Sequence, residues 1–209
     1  MTVPFHTFSA DLKYSDLPES LLVILRRSFL DTMGVAAVAS TTEMAQSAVR
    51  AARATFGIGT AGASRVLMTG VRLSPAGAAM AGAFTVDAVD AHDSTSPCKG
   101  HAGSAVFPAL MAMADCAEEP LDGAAFASHI AVGYEISYRA GLAQHATCAD
   151  YHTSGAWTAV GVAAAAARMM GLSAEQIRHA AGIGEYHGPR SQMMRCIDHP
   201  TNVRDGVGW

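Results

Sequence analysis

Two long runs of small residues, "AGAAMAGAFTVDAVDA" at 76–91 and "AWTAVGVAAAAARMMG" at 156–171, constrain this chain most. Ala is the strongest helix former, and side chains this short let neighbouring helices approach closely. A chain that is half hydrophobic and only 15% charged has the material for tightly packed helices rather than for a disordered or fibrous polymer. Its 209 residues suffice for one domain with a full core.

Periodicity and caps place the remaining helices. A first helix is predicted to start near Pro18, capped by Ser15 or Asp16, with Leu21, Leu22, Leu25, Phe29 and Met33 at helical spacing. A second runs from about Thr42 to Phe56, and Gly57 is placed to end it in the left-handed conformation. Residues 58–73 mix Gly with β-formers and read as an extended connection or a short hairpin. Ser74 and Pro75 restart a helix; others are expected at about 104–117, from Asp122 to about Gln144, and through the second Ala-rich run to Gly171. Ser173 and Gln176 form a capping box for a short helix to about Ala181. With no repeat and no dividing linker, residues 1–209 read as one all-α, multi-helix domain.

Charge and targeting signals exclude several classes of function. A net charge of −4 without a basic run argues against nucleic acid or membrane as a partner. The N-terminus lacks the form of a signal peptide and no stretch reaches transmembrane length, so a cytoplasmic location is expected. Cys98, Cys116, Cys148 and Cys196 follow neither zinc nor disulfide spacing and read as reduced thiols, with Cys116 buried on a helix and Cys98 exposed in a loop.

Reactive groups concentrate in three segments. The loop 90–103, "DAHDSTSPCKGHAG", carries Asp90, His92, Asp93, Ser94, Thr95, Lys99 and His101 between two apolar helices. The second segment has Asp150, Tyr151, His152 and Thr153; the third has Glu185, His187, Arg190, Arg195, His199 and Arg204. Convergence of the three would surround a space with imidazoles and hydroxyls edged by cations, which suits a small polyanion. A metal site is the competing reading of Asp90, His92, Asp93 and His101. Their spacing matches no familiar metal motif and Lys99 would repel a cation, so none is assigned. His6, His129, His145 and His179 are read as structural.

The run from Ser74 to Asp115 resembles the signature of the MmgE/PrpD family, in which a helix ends in a "HxxDxDD(T)" loop followed by "HPG" or "HPS" and an Ala-rich helix. "DYHTSGAWTAVG" is similar to the family's "FHxTG" segment, and "HPTNVRDGVGW" to its Lys-Asp-Gly turn. The three motifs fall in order and span the chain from about Leu17 to its end. The family includes 2-methylcitrate dehydratase, cis-aconitate decarboxylase and iminodisuccinate epimerase, acting on small polycarboxylates without metal or organic cofactor.

The resemblance implies a helical domain, a smaller α+β lid domain that this chain lacks, a homodimer, and a dehydratase-like removal of a proton α to a carboxylate, with decarboxylation or epimerisation as alternatives. Carried over residue by residue, it puts Asp90, Ser94 or Thr95, His101 and His152 on catalytic or substrate-binding positions; we take His101, His152 and Asp90 as catalytic, and Asp93, Ser94, Thr95, Lys99 and Arg204 as substrate-binding. Here one of His101 and His152 takes the proton and the other protonates the leaving group or carbanion. The chain departs from the family at His92 and Asp93, in a loop one residue longer before His101, and in Arg204 where Lys is usual. It is therefore expected to be a truncated part, active only with a lid or a partner chain that supplies one, or else a catalytically silent module.

Overall fold

The computed structural model describes residues 3–58, 62–190 and 193. Those residues form α1 (Phe5–Asp11), a 3-10 turn (Tyr14–Asp16), α2 (Glu19–Ala39), α3 (Glu43–Thr55), β1 (Ser64–Arg65), β2 (Arg72–Leu73), α4 (Pro75–Asp87), α5 (Gly103–Cys116), α6 (Gly123–Thr147), α7 (Gly155–Met169) and α8 (Ala174–His187). Among the described residues the chain is all-α apart from this one antiparallel hairpin, which pairs Ser64 with Leu73 and Arg65 with Arg72.

Most boundaries follow the capping chemistry. The hydroxyls of Thr42 and Ser74 and the carboxylate of Asp122 accept from the backbone N–H three residues on, in each case at the start of a helix. Ser173 and Gln176 close the expected capping box, and Gly171 takes a positive φ of 71° just after α7. Gly57 does not take the expected left-handed conformation, because Phe56 ends α3 in an extended conformation with its N–H on the Ala52 carbonyl.

Two helical stretches exceed what local signals support. The seven-residue α1 is too short to be stable alone and packs against α7 and α8. Helix α8 runs on to His187 through Gly182 and Gly184, which lower helix propensity, because the whole helix lies along α7.

The core has two parts. The larger joins α2, α5, α6, α7 and α8 around Phe107, Leu110, Val132, Trp157 and Ile177. The smaller lies under the hairpin, where Val66 and Leu73 meet Ala52, Ala78, Ala81 and Ala112. The Ser64 hydroxyl donates to the Ala112 carbonyl, and Arg65 pairs with Asp115, fastening the hairpin to α5.

Helices α6 and α7 touch almost backbone to backbone. A Cβ at Gly161 would stand 2.5 Å from the Gly133 carbonyl oxygen and 2.7 Å from the Ser137 nitrogen. Neither is the movable end of a side chain, so Gly161→Ala must force the helices apart. We expect a loss of about 2–3 kcal/mol, or ~5–10 °C in melting temperature by circular dichroism. A Cβ at Gly182 in α8 meets nothing within 4 Å. Gly182→Ala is expected to raise stability by about 0.5–1 kcal/mol through helix propensity. Equal melting temperatures for the two variants would refute the close-approach account.

Candidate active site

The polar loop joins α4 to α5 and is held from three sides. Within it, Thr95 and Gly100 pair as an antiparallel bridge, with N–H···O distances of 2.9 and 3.3 Å. Asp90 and Lys99 adopt positive φ values of 48° and 52°. From α6, His145 Nε2 donates to the Cys98 carbonyl at 2.8 Å, and the Cys98 thiol donates to the Tyr138 carbonyl at 3.3 Å. Ahead of α7, Tyr151 donates its hydroxyl to the Lys99 carbonyl at 2.7 Å, and Ser154 Oγ accepts the His101 N–H at 2.9 Å.

Cys98 is thus 1% exposed, and burial pushes its thiol pKa up. The sequence expectation of an exposed Cys98 fails because the loop folds back between α6 and Trp157. Cys116, expected to be buried, is only half-buried, since it is the last residue of α5.

The third hold is Asp93. Tyr134 of α6 donates its hydroxyl to Asp93 Oδ2 at 2.9 Å. Asp93 Oδ1 occupies the space beside Gly103, where a Cβ would approach to 2.2 Å. Helix α5 begins without a side-chain cap, so this carboxylate stands against its positive N-terminal end. Burial raises the Asp93 pKa, opposed by the Tyr134 hydroxyl, the His101 imidazole and the Gly103 N–H.

This scaffold presents a cavity of about 490 Å³ lined by Asp90, Ser94, Thr95, Lys99, His101 and Tyr151, together with Ser96, Gly100 and Met193. His101 Nδ1 lies 2.8 Å from the Asp93 carbonyl oxygen. A carbonyl only accepts, so Nδ1 carries the proton and the neutral ring has its lone pair on Nε2. Nε2 faces Asp90 Oδ1 at 3.7 Å. Lys99 holds its ammonium 5.4 Å from the centre of the Tyr151 ring, a cation–π contact at the cavity wall.

Five of the eight residues singled out from the sequence therefore share one cavity: Asp90, Ser94, Thr95, Lys99 and His101. His152 follows Tyr151, is 8% exposed, and donates from Nδ1 to the Asp150 carbonyl at 2.9 Å; it does not line that cavity. Asp93 lines a different one, beside Arg27, Ser28 and Asp31 of α2. Of the C-terminal group, Arg190 pairs with Glu185 at the surface, while Arg195, His199 and Arg204 lie outside the described residues.

Sequence reasoning counted Tyr151 among the reactive groups of the second segment but gave it no role at the site. It had no means of finding Tyr134, an aromatic in mid-helix 41 residues from its Asp93 partner.

His92 lies beneath His101, with ring centroids 4.3 Å apart, and its side chain is fully buried. Burial, reinforced by the neighbouring His101, drops its pKa from 6.5 to about 3. Asp87 Oδ1 stands 3.8 Å from His92 Nε2, beyond hydrogen-bond reach, and desolvation outweighs it, so His92 is neutral at neutral pH.

Residues 4–201 match the MmgE/PrpD N-terminal domain, and the chain belongs to that family. It is 24% identical over 225 residues to the cis-aconitate decarboxylase-like protein oryM of Aspergillus oryzae, an alignment that covers 99% of this chain and 45% of that protein. The chain thus spans less than half the length of this relative.

The buried His92 sets a pH dependence. Between pH 6.5 and about 3 the unfolded chain binds a proton there that the folded chain excludes. His129, lowered to about 4 by burial and by Arg168, acts in the same direction. The contribution of His92 is complete above pH 6.5 and falls as the solution is acidified, by roughly 2–3 kcal/mol at pH 4.5. Urea midpoints measured from pH 7.5 to 4.5 should fall accordingly, and less steeply in His92→Gln. Parallel slopes for wild type and variant would contradict this assignment.

Proposed function

We propose that the cavity beside His101 is the acid–base half of a lyase site for a small di- or tricarboxylate. The observation that carries this reading is the fixed tautomer of His101: Nδ1–H is committed to the Asp93 carbonyl, and the basic Nε2 lies beside Asp90 at the cavity wall. In the proposed reaction Lys99 pairs with a substrate carboxylate, while Ser94 and Thr95 donate hydrogen bonds. His101 Nε2 takes the proton α to a carboxylate. The cationic groups stabilise the negative charge that develops on the enediolate. His152, entering as the imidazolium with its Nδ1–H kept on the Asp150 carbonyl, is proposed to give its Nε2 proton to the carbanion or to the leaving hydroxyl and to end neutral, and Arg204 is proposed as a second carboxylate anchor. Asp93 is proposed to act mainly by position, since it holds the His101 ring and the start of α5.

Removal or addition of a proton α to a carboxylate is common to dehydration, decarboxylation and epimerisation. The resemblance to a cis-aconitate decarboxylase-like protein supports an aconitate-like tricarboxylate as the first substrate to try, and 2-methylcitrate as the second. Because the chain spans 45% of that relative, we further propose that residues 1–209 form one helical domain. A lid domain or a partner chain, within a homodimer, would complete the site from the other side.

The test is turnover of cis-aconitate, 2-methylcitrate and iminodisuccinate, followed by proton NMR in D2O, with and without a co-expressed lid domain. His101→Ala and His152→Ala should each lower turnover by about 10²–10⁴-fold while the helical circular dichroism is unchanged. Wild-type rates in His101→Ala would sink the reading.

A further inference from the structure

Asp90, His92 and His101 each offer one ligand-type atom, and the three atoms lie within 4.8 Å of one another. Two independent features of the histidines point to a ligand at this place. The His92 side chain is 0% exposed, and neither of its ring nitrogens has a hydrogen-bond partner. Leaving a buried polar group unsatisfied costs about 1–3 kcal/mol, so such a group packed against His101, which does line the polar cavity, calls for an occupant. His101, for its part, is oriented in the manner of a ligating imidazole, with one ring N–H on a backbone carbonyl and the other nitrogen turned to a carboxylate.

We propose that Asp90, His92 and His101 bind one borderline divalent cation of the Zn²⁺ type. Two neutral imidazoles and one carboxylate suit Zn²⁺, Co²⁺ or Ni²⁺, whereas Mg²⁺ and Ca²⁺ prefer oxygen donors throughout. Bonds of about 2.0–2.1 Å require donor atoms about 3.3 Å apart. The present spacing must therefore close by up to roughly 1.5 Å, a movement open to Asp90, whose side chain is 43% exposed. Lys99 lines the same cavity with its ammonium over Tyr151, and its charge limits the affinity. A cation on His101 Nε2 takes the lone pair that the proposed proton transfer needs, so occupancy blocks turnover. That consequence rests on the function proposed above; binding itself does not.

The experiment is a calorimetric titration of chelator-stripped protein with Zn²⁺, with the visible absorption of Co²⁺ as an independent readout. We expect one ion per chain and a Kd raised at least about tenfold in Asp90→Asn and in His92→Gln. Asp90→Asn alters an exposed side chain and keeps the test open should His92→Gln fail to fold. His179→Gln, on the surface of α8, should bind as wild type. No uptake, or uptake unchanged in Asp90→Asn, overturns the site. One bound ion without loss of turnover overturns the competition. Uptake as expected in a protein that turns over none of the three polycarboxylates even with the lid domain co-expressed removes the function and leaves the site standing.

Discussion

The Asp93 carboxylate, set between the Tyr134 hydroxyl and the start of α5, is the contact on which the arrangement of the polar loop depends. It joins three elements at one point: the loop that carries Asp93, the middle of α6, and the first turn of α5. An uncapped helix N-terminus presents backbone N–H groups without partners, and a carboxylate there meets both their hydrogen-bonding need and the helix dipole. Burial raises the pKa of that carboxyl, and the Tyr134 hydroxyl and the Gly103 N–H oppose the rise. The same residue turns its own carbonyl to His101 Nδ1, so one residue sets both the position of the loop and the tautomer of the imidazole.

The rest of the loop is held against its local preferences. Asp90 and Lys99 sit in left-handed backbone conformations that cost L-residues about 1–2 kcal/mol each. Such conformations persist where the surroundings over-determine them. Here the Thr95–Gly100 bridge, His145 on the Cys98 carbonyl and Tyr151 on the Lys99 carbonyl supply that constraint. The last two anchors come from α6 and from the segment just ahead of α7, and the relative placement of these helices follows from the small residues at their crossing. The Ala- and Gly-rich sequence thus does more than form helices. It fixes the distance between two elements whose side chains clamp a third.

That division explains what the residues disclose in advance. Helices, caps and the 64–73 hairpin were legible because they rest on local rules: Thr42, Ser74, Asp122 and Ser173 cap within three residues of themselves. The clustering of Asp90, Ser94, Thr95, Lys99 and His101 was legible because they lie within twelve consecutive positions. Helix α1 and the end of α8 were not, since packing against α7 rather than propensity sustains them. Nor were the burial of Cys98 and the role of Tyr134, which depend on partners about forty residues away. His92 could be counted as a polar loop residue, but that it lies under His101 with unpartnered nitrogens is a property of the folded chain alone.

The chemistry proposed for the loop turns on one electron pair. With Nδ1–H of His101 committed to a carbonyl, Nε2 is the only ring position left to act as a base, and it can serve one partner at a time. A substrate α-proton and a divalent cation would seek it from the same cavity, next to the same Asp90 carboxylate. They differ in what else they need. On the two proposals a polycarboxylate would draw on Lys99 and the hydroxyls of Ser94 and Thr95, whereas a cation would be repelled by Lys99 and would require the buried His92. Lys99 and His92 therefore set the balance between the two occupants, and each is a residue that can be changed without touching the atom that moves the proton.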